Sequence, residues 1–126
     1  MTGGGTVLHN GVLANYGVSV KFLKNGQIQG NLRFIDHRPT GNVMLKSNAL
    51  TSLAIVGDTA VLLSKATLDG QGNYTFEAIV TDKGEPGIDD QFWLRVTGPN
   101  GALVPDMSFA PLTLTGGNNQ VPQGVQ

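Results

Sequence analysis

"VSVKFLKNGQIQGNLRF", Val18 to Phe34, sets an Asn-Gly pair between two alternating runs, and the register of that hairpin decides which face of the sheet is buried. Asn-Gly between alternating runs usually marks a two-residue loop, because both residues tolerate positive φ. Such a loop at Asn25-Gly26 sets Phe22 opposite Gln29, Val20 opposite Asn31 and Val18 opposite Arg33, so apolar residues face polar ones along the ladder. A three-residue loop, Lys24-Asn25-Gly26, instead pairs Phe22 with Ile28, Val20 with Gly30, Val18 with Leu32 and Tyr16 with Phe34. Every large residue then lies on one face. The geometry is a type I turn closed by a left-handed glycine that makes a bulge. The core pattern selects it, because a slip of one residue would carry the whole apolar set to the solvent side.

Outward from this hairpin the same alternation recurs. The expected strands are a lead strand around Thr6 to Leu8, the two hairpin strands, one near Val43 to Lys46, and one at Ser52 to Val56 that ends in a tight reversal at Gly57-Asp58. In "AVLLSKATL" Ala60, Leu62, Ser64, Ala66 and Leu68 share a face, and "DGQGN" turns the chain into "YTFEAIVTD". There Tyr74, Phe76, Ala78 and Val80 form the better core face. "QFWLRVT" turns Phe92, Leu94 and Val96 one way and Gln91, Trp93 and Arg95 the other, and a last strand falls around Leu112 to Leu114. No window holds a sustained helical period. The pattern predicts an all-β domain over residues 1–115, of about nine strands, as an immunoglobulin-like antiparallel β-sandwich. A jelly roll or barrel is the secondary closure. The polar stretch 116–126 reads as a flexible tail or linker.

Composition limits function. A chain of 126 residues buries roughly two thirds of its unfolded surface, enough for a core without staples. With no cysteine, disulfides and thiolate metal sites are excluded and the redox compartment is left open. Eight basic and nine acidic residues give a net charge of -1, which argues against nucleic acid or an anionic membrane as a partner. No apolar run approaches the roughly 20 residues of a membrane span. Met1 ahead of a glycine run reads as an added start, with any native leader or neighbouring domain removed.

Chemistry has few footholds. There are two histidines, His9 and His37. Asp36-His37 sets a carboxylate beside an imidazole, but neighbours on a strand point to opposite faces and do not orient each other. No nucleophile, base and orienter come together. The densest acidic stretch, "TDKGEPGIDDQF", holds Asp82, Glu85, Asp89 and Asp90 within nine positions. It reads first as a turn, with Asp82 capping, Gly84 and Gly87 at positive φ and Pro86 fixing its own φ. It reads second as a structural calcium site of hard oxygen ligands, completed by carbonyls and Asp36. Trp93 faces away from Phe92 and Leu94, so it is a candidate ligand contact through ring stacking as well as an ordinary covered residue. "NYT" at Asn73 matches a glycosylation sequon too short to carry weight.

"GGGTV", "GNLRFIDH", "LAIVGDTAVLL" and "GNYTFEAIVTDKGEPGIDDQFWLRV" together resemble the bacterial post-COAP domain, a module that stands beside choice-of-anchor domains in secreted and surface proteins. The resemblance runs from about Gly3 to Leu114. Its most specific pieces are Asp36-His37 and the pattern D-x-G-E-P-G-x-x-D from Asp82 to Asp90, with departures at Lys83 and Gln91. It implies an extracellular β-sandwich accessory module and supplies no site. The expected role is non-catalytic: a spacer, assembly or interaction unit that meets neighbouring domains or surface proteins. The alternatives are a carbohydrate-binding module that takes polysaccharide through Trp93, and a self-associating filament subunit whose lead strand completes a neighbour's sheet.

Overall fold

The computed structural model describes residues 1–9, 11–82, 90–104 and 107–121. It is all-β. The strands are β1 (Thr2–His9), β2 (Val12–Phe22), β3 (Ile28–Arg38), β4 (Gly41–Val56), β5 (Thr59–Leu68), β6 (Gln71–Thr81), β7 (Gln91–Thr97), β8 (Phe109–Thr113) and β9 (Gly116–Gln120). They form one antiparallel sheet in the order β8-β7-β6-β5-β4-β3-β2-β1-β9.

The Val18–Phe34 hairpin has the expected register. Phe22 faces Ile28, Val18 faces Leu32 and Tyr16 faces Phe34. The turn closes through Leu23 N–H to Gln27 O at 2.7 Å and Gly26 N–H to Leu23 O at 2.9 Å, with Gly26 at φ 84°. Val18, Val20, Leu32 and Phe34 are buried accordingly.

The expected immunoglobulin-like sandwich gives way to a single curled sheet, and chain connectivity forces the curl. β8 and β9 lie at opposite edges of the sheet order, yet only Leu114 and Thr115 separate them. Laid flat, nine strands about 4.8 Å apart would place those edges about 38 Å from each other. The short link reaches about 10 Å. The sheet therefore rolls until its edges meet, and Leu114 N–H bonds to Asp90 O (2.9 Å) and Thr115 N–H to Thr6 O (2.7 Å) at the crossing. Side chains from distant strands fill the interior. Tyr16 of β2 stacks on Phe92 of β7 with centroids 4.0 Å apart, and Phe34 of β3 lies 5.7 Å from Phe109 of β8.

Three boundaries differ from expectation. The runs at Val43–Lys46 and Ser52–Val56 are one strand, β4, which shifts register against β5 between Ser47 and Ala49 and again between Leu50 and Ser52. Its ladder with β3 stops at the Arg33–Lys46 pair, where the Ser47 hydroxyl accepts the Leu32 N–H at 2.9 Å. The lead strand is longer than Thr6 to Leu8, and Met1 extends it by bonding Val20 in both directions, at 2.7 and 2.8 Å. Residues 116–120, expected as the start of a flexible tail, form β9 against β1. Glycines make that pairing possible. A Cβ on Gly3 would lie 2.3 Å from Asn119 Oδ1, and one on Gly5 would lie 2.3 Å from Gly116 O.

Candidate functional site

Asn119, at the closure, is a buried polar group whose side-chain donors and acceptor are all in use. Its Nδ2 donates to Thr81 O and Gln91 O, each at 3.0 Å, and its Oδ1 accepts from the Tyr16 hydroxyl. The side chain thereby uses both donors and its acceptor while fully buried. Burial pushes the Tyr16 hydroxyl well above the ordinary tyrosine pKa; the bond to Asn119 opposes that shift and the charge of Asp90 adds to it.

Two of the four carboxylates expected to hold calcium belong to the same closure. Asp90, fully buried, accepts the Asn119 backbone N–H through Oδ2 at 2.7 Å, and half-buried Asp82 accepts the Val121 N–H at 3.1 Å. They satisfy backbone donors on the open side of β9. Glu85 and Asp89 lie outside the described residues. Among the described residues no three His, Cys, Asp or Glu side chains are placed together to hold a metal ion.

Asp36 and His37 point to opposite faces of β3, as alternation requires. Buried Asp36 takes Arg38 Nε on its Oδ2 at 3.0 Å. His37 is exposed, its Nδ1 lying 3.2 Å from Asn42 Oδ1 and its Nε2 bonded to Asn15 Oδ1. Trp93 is half-buried on the outward face of β7, directly across from Ile79, which is itself 92% covered at 8% exposure.

Sequence reasoning missed the outward face of β2–β4. Gly17, Arg33 and Lys46 lie in one cross-strand row. Together with Asn15, Asn31 and Ile35 they line a depression of about 470 Å³. A second depression of about 490 Å³ opens where β3 and β4 part, lined by Phe22, Ile28, Leu50 and Leu53 with Gln27. No motif brings either group together in sequence; only the strand register does. Comparisons of the chain with protein-family models, with curated proteins and with solved structures find no match.

Proposed function

We propose that the chain is a non-catalytic β-module that works as an interaction unit, and that its setting is extracellular, in a bacterial secreted or surface protein. One observation supports the non-catalytic part: among the described residues, the acidic and imidazole side chains that could act together are engaged in hydrogen bonds within the fold. Asp90 and Asp82 receive the amides of Asn119 and Val121, Asp36 receives Arg38, and both His37 ring nitrogens meet asparagine oxygens. Exposed Asn31, Arg33 and Lys46 on the outward sheet face remain open to a partner. The extracellular part rests on the post-COAP resemblance of the Asp36-His37 pair and the Asp82 to Asp90 loop.

Strand exchange is the less supported alternative, because β1 is paired in register over eight positions with β2 and five with β9. Its departure would open both ladders. Carbohydrate binding through Trp93 has the weaker platform, since that ring is half-covered.

The test fuses the domain to an unrelated fluorescent protein and exposes it to separated polysaccharide, protein and lipid fractions of bacterial envelopes. Retention by one fraction, with the mass of the retained material unchanged, is the expected result. Chemical conversion of that material, abolished by His37→Ala, would refute the proposal, and so would the absence of retention by all three.

A further inference from the structure

The net charge of -1 conceals a division along the chain. Residues 1–50 carry five bases and one acid, and the remainder carries three bases and eight acids. Within β1–β5 the one acid is Asp36, which is buried, whereas Lys21, Arg33, Lys46 and Lys65 are exposed. The outward side chains of these five strands therefore carry no carboxylate; the nearest acids in the chain are Asp58 and exposed Asp69, in the turns after β4 and β5, where Asp69 Oδ1 accepts the Met44 N–H at 2.9 Å.

The charge has a focus. Arg33 and Lys46 stand directly opposite each other on β3 and β4, a like-charge pair that repels across the ladder. Among the described residues neither meets a carboxylate. On the other side of Arg33 stands Gly17, in the middle of β2. Its φ lies outside the left-handed region and a Cβ there would meet nothing within 4 Å, so neither backbone nor packing requires glycine. Gly3 and Gly5 differ, because β9 presses on them. Glycine weakens a strand interior and marks a bulge, a tight bend or the close approach of another backbone or a ligand. At Gly17 the pairing with β1 and β3 runs without a register shift and no other backbone presses on it. At Gly17 the missing side chain keeps open the floor of the 470 Å³ depression.

We infer that this depression binds a uronic acid residue of an anionic polysaccharide. The carboxylate lies between Arg33 and Lys46, where the guanidinium fork matches its two oxygens. The sugar ring lies over Gly17. Asn15, whose Oδ1 is already bonded to His37, offers its amide N–H to a ring hydroxyl, and exposed Asn31 offers its amide oxygen and N–H groups from the other side. Nucleic acid would bring phosphates to the same cations but finds no platform for its bases. Tyr16, the aromatic residue in the lining, turns its ring inward onto Phe92.

The inference rests on the reading of the domain as a binding unit, and labelled oligogalacturonate tests it separately. Dextran serves as the neutral comparison, dextran sulfate as the sulfated polysaccharide without sugar acids and duplex DNA as the phosphate polyanion. The intact protein is expected to bind oligogalacturonate more tightly than any of the three, with affinity that falls as salt rises. Arg33→Ala is expected to weaken binding about tenfold or more. Gly17→Val is expected to abolish it with charge unchanged and the unfolding midpoint equal or higher. Should Gly17→Val disturb folding by circular dichroism, Asn31→Ala takes its place, with a loss of affinity expected. Undiminished binding by the folded Gly17 or Asn31 variant overturns the inference, as does equal affinity for dextran, dextran sulfate or DNA. Retention on dextran or on an envelope protein, unchanged in Arg33→Ala, would remove this site and leave the binding-unit reading intact.

Discussion

Replacing Asn119 by alanine should uncouple the two edges of the sheet. The substitution removes both Nδ2 donors and the acceptor of the Tyr16 hydroxyl, three hydrogen bonds from one side chain. The Tyr16 and Thr81 bonds are buried and the Gln91 bond is partly so. A buried polar group left without a partner costs about 1–3 kcal/mol. Counting the Tyr16 hydroxyl and Thr81 carbonyl fully and the Gln91 carbonyl at the low end gives a loss of about 3–7 kcal/mol. Domains of this size hold about 5–15 kcal/mol in all. At about 3–5 °C per kcal/mol, the midpoint should fall by roughly 10–35 °C. Thermal unfolding by circular dichroism, with urea titration at 25 °C, measures both quantities. An Asn119→Ala midpoint within about 2 °C of the parent would refute the reasoning, because the closure would then be held by something other than this side chain.

Three further outcomes follow from the same geometry. The folded state holds the Tyr16 hydroxyl protonated beyond the ordinary range, so the unfolded chain loses that proton first as pH rises; stability should decline above about pH 10, by up to about 1.4 kcal/mol per unit, and Tyr16→Phe should remove that part of the slope. Gly5→Ala drives a Cβ against a backbone carbonyl and should cost about 1–3 kcal/mol, whereas Gly17→Ala should gain up to about 1 kcal/mol; urea unfolding of the pair separates a glycine that packing demands from one that it does not. Since Asp90 and Asp82 each already give an oxygen to a backbone amide, at Asn119 and Val121, excess calcium followed by chelator should leave the unfolding midpoint within about 1 °C; a rise of several degrees would assign the loop as an ion site.

The hairpin was fully legible because three local signals agree there. Alternation fixes the face, Gly26 supplies the left-handed residue, and only one register keeps Val18, Val20, Leu32 and Phe34 together. The sheet arrangement was less legible. One-sided alternation says which face a strand buries but not which strand lies across the core, so a curled sheet and a sandwich share the same pattern. β4 was split in the reading because "SNALTS" breaks the alternation where the strand shifts register.

β9 was illegible for a different reason. Asn119 is buried by hydrogen bonds to Tyr16, Thr81 and Gln91, partners 103, 38 and 28 residues away, and nothing local distinguishes it from the asparagines of a linker. The glycine run at Gly3–Gly5 was its counterpart in the sequence, a strand stripped of side chains where another strand must approach. At the candidate site the charge imbalance between residues 1–50 and the remainder could have been counted. That Gly17, Arg33 and Lys46 form one row could not, because it depends on two ladders at once.

Amide hydrogen exchange at Asn119 and Val121 tests the closure most directly, because these donors, in β9 and just after it, are received by Asp90 and Asp82. Protection close to that of the core amides of Phe92 and Leu94, exchanging only with global unfolding, is the expected result. Exchange as fast as in an unstructured chain would mean that residues 116–121 are a tail after all and that the sheet is not closed by β9.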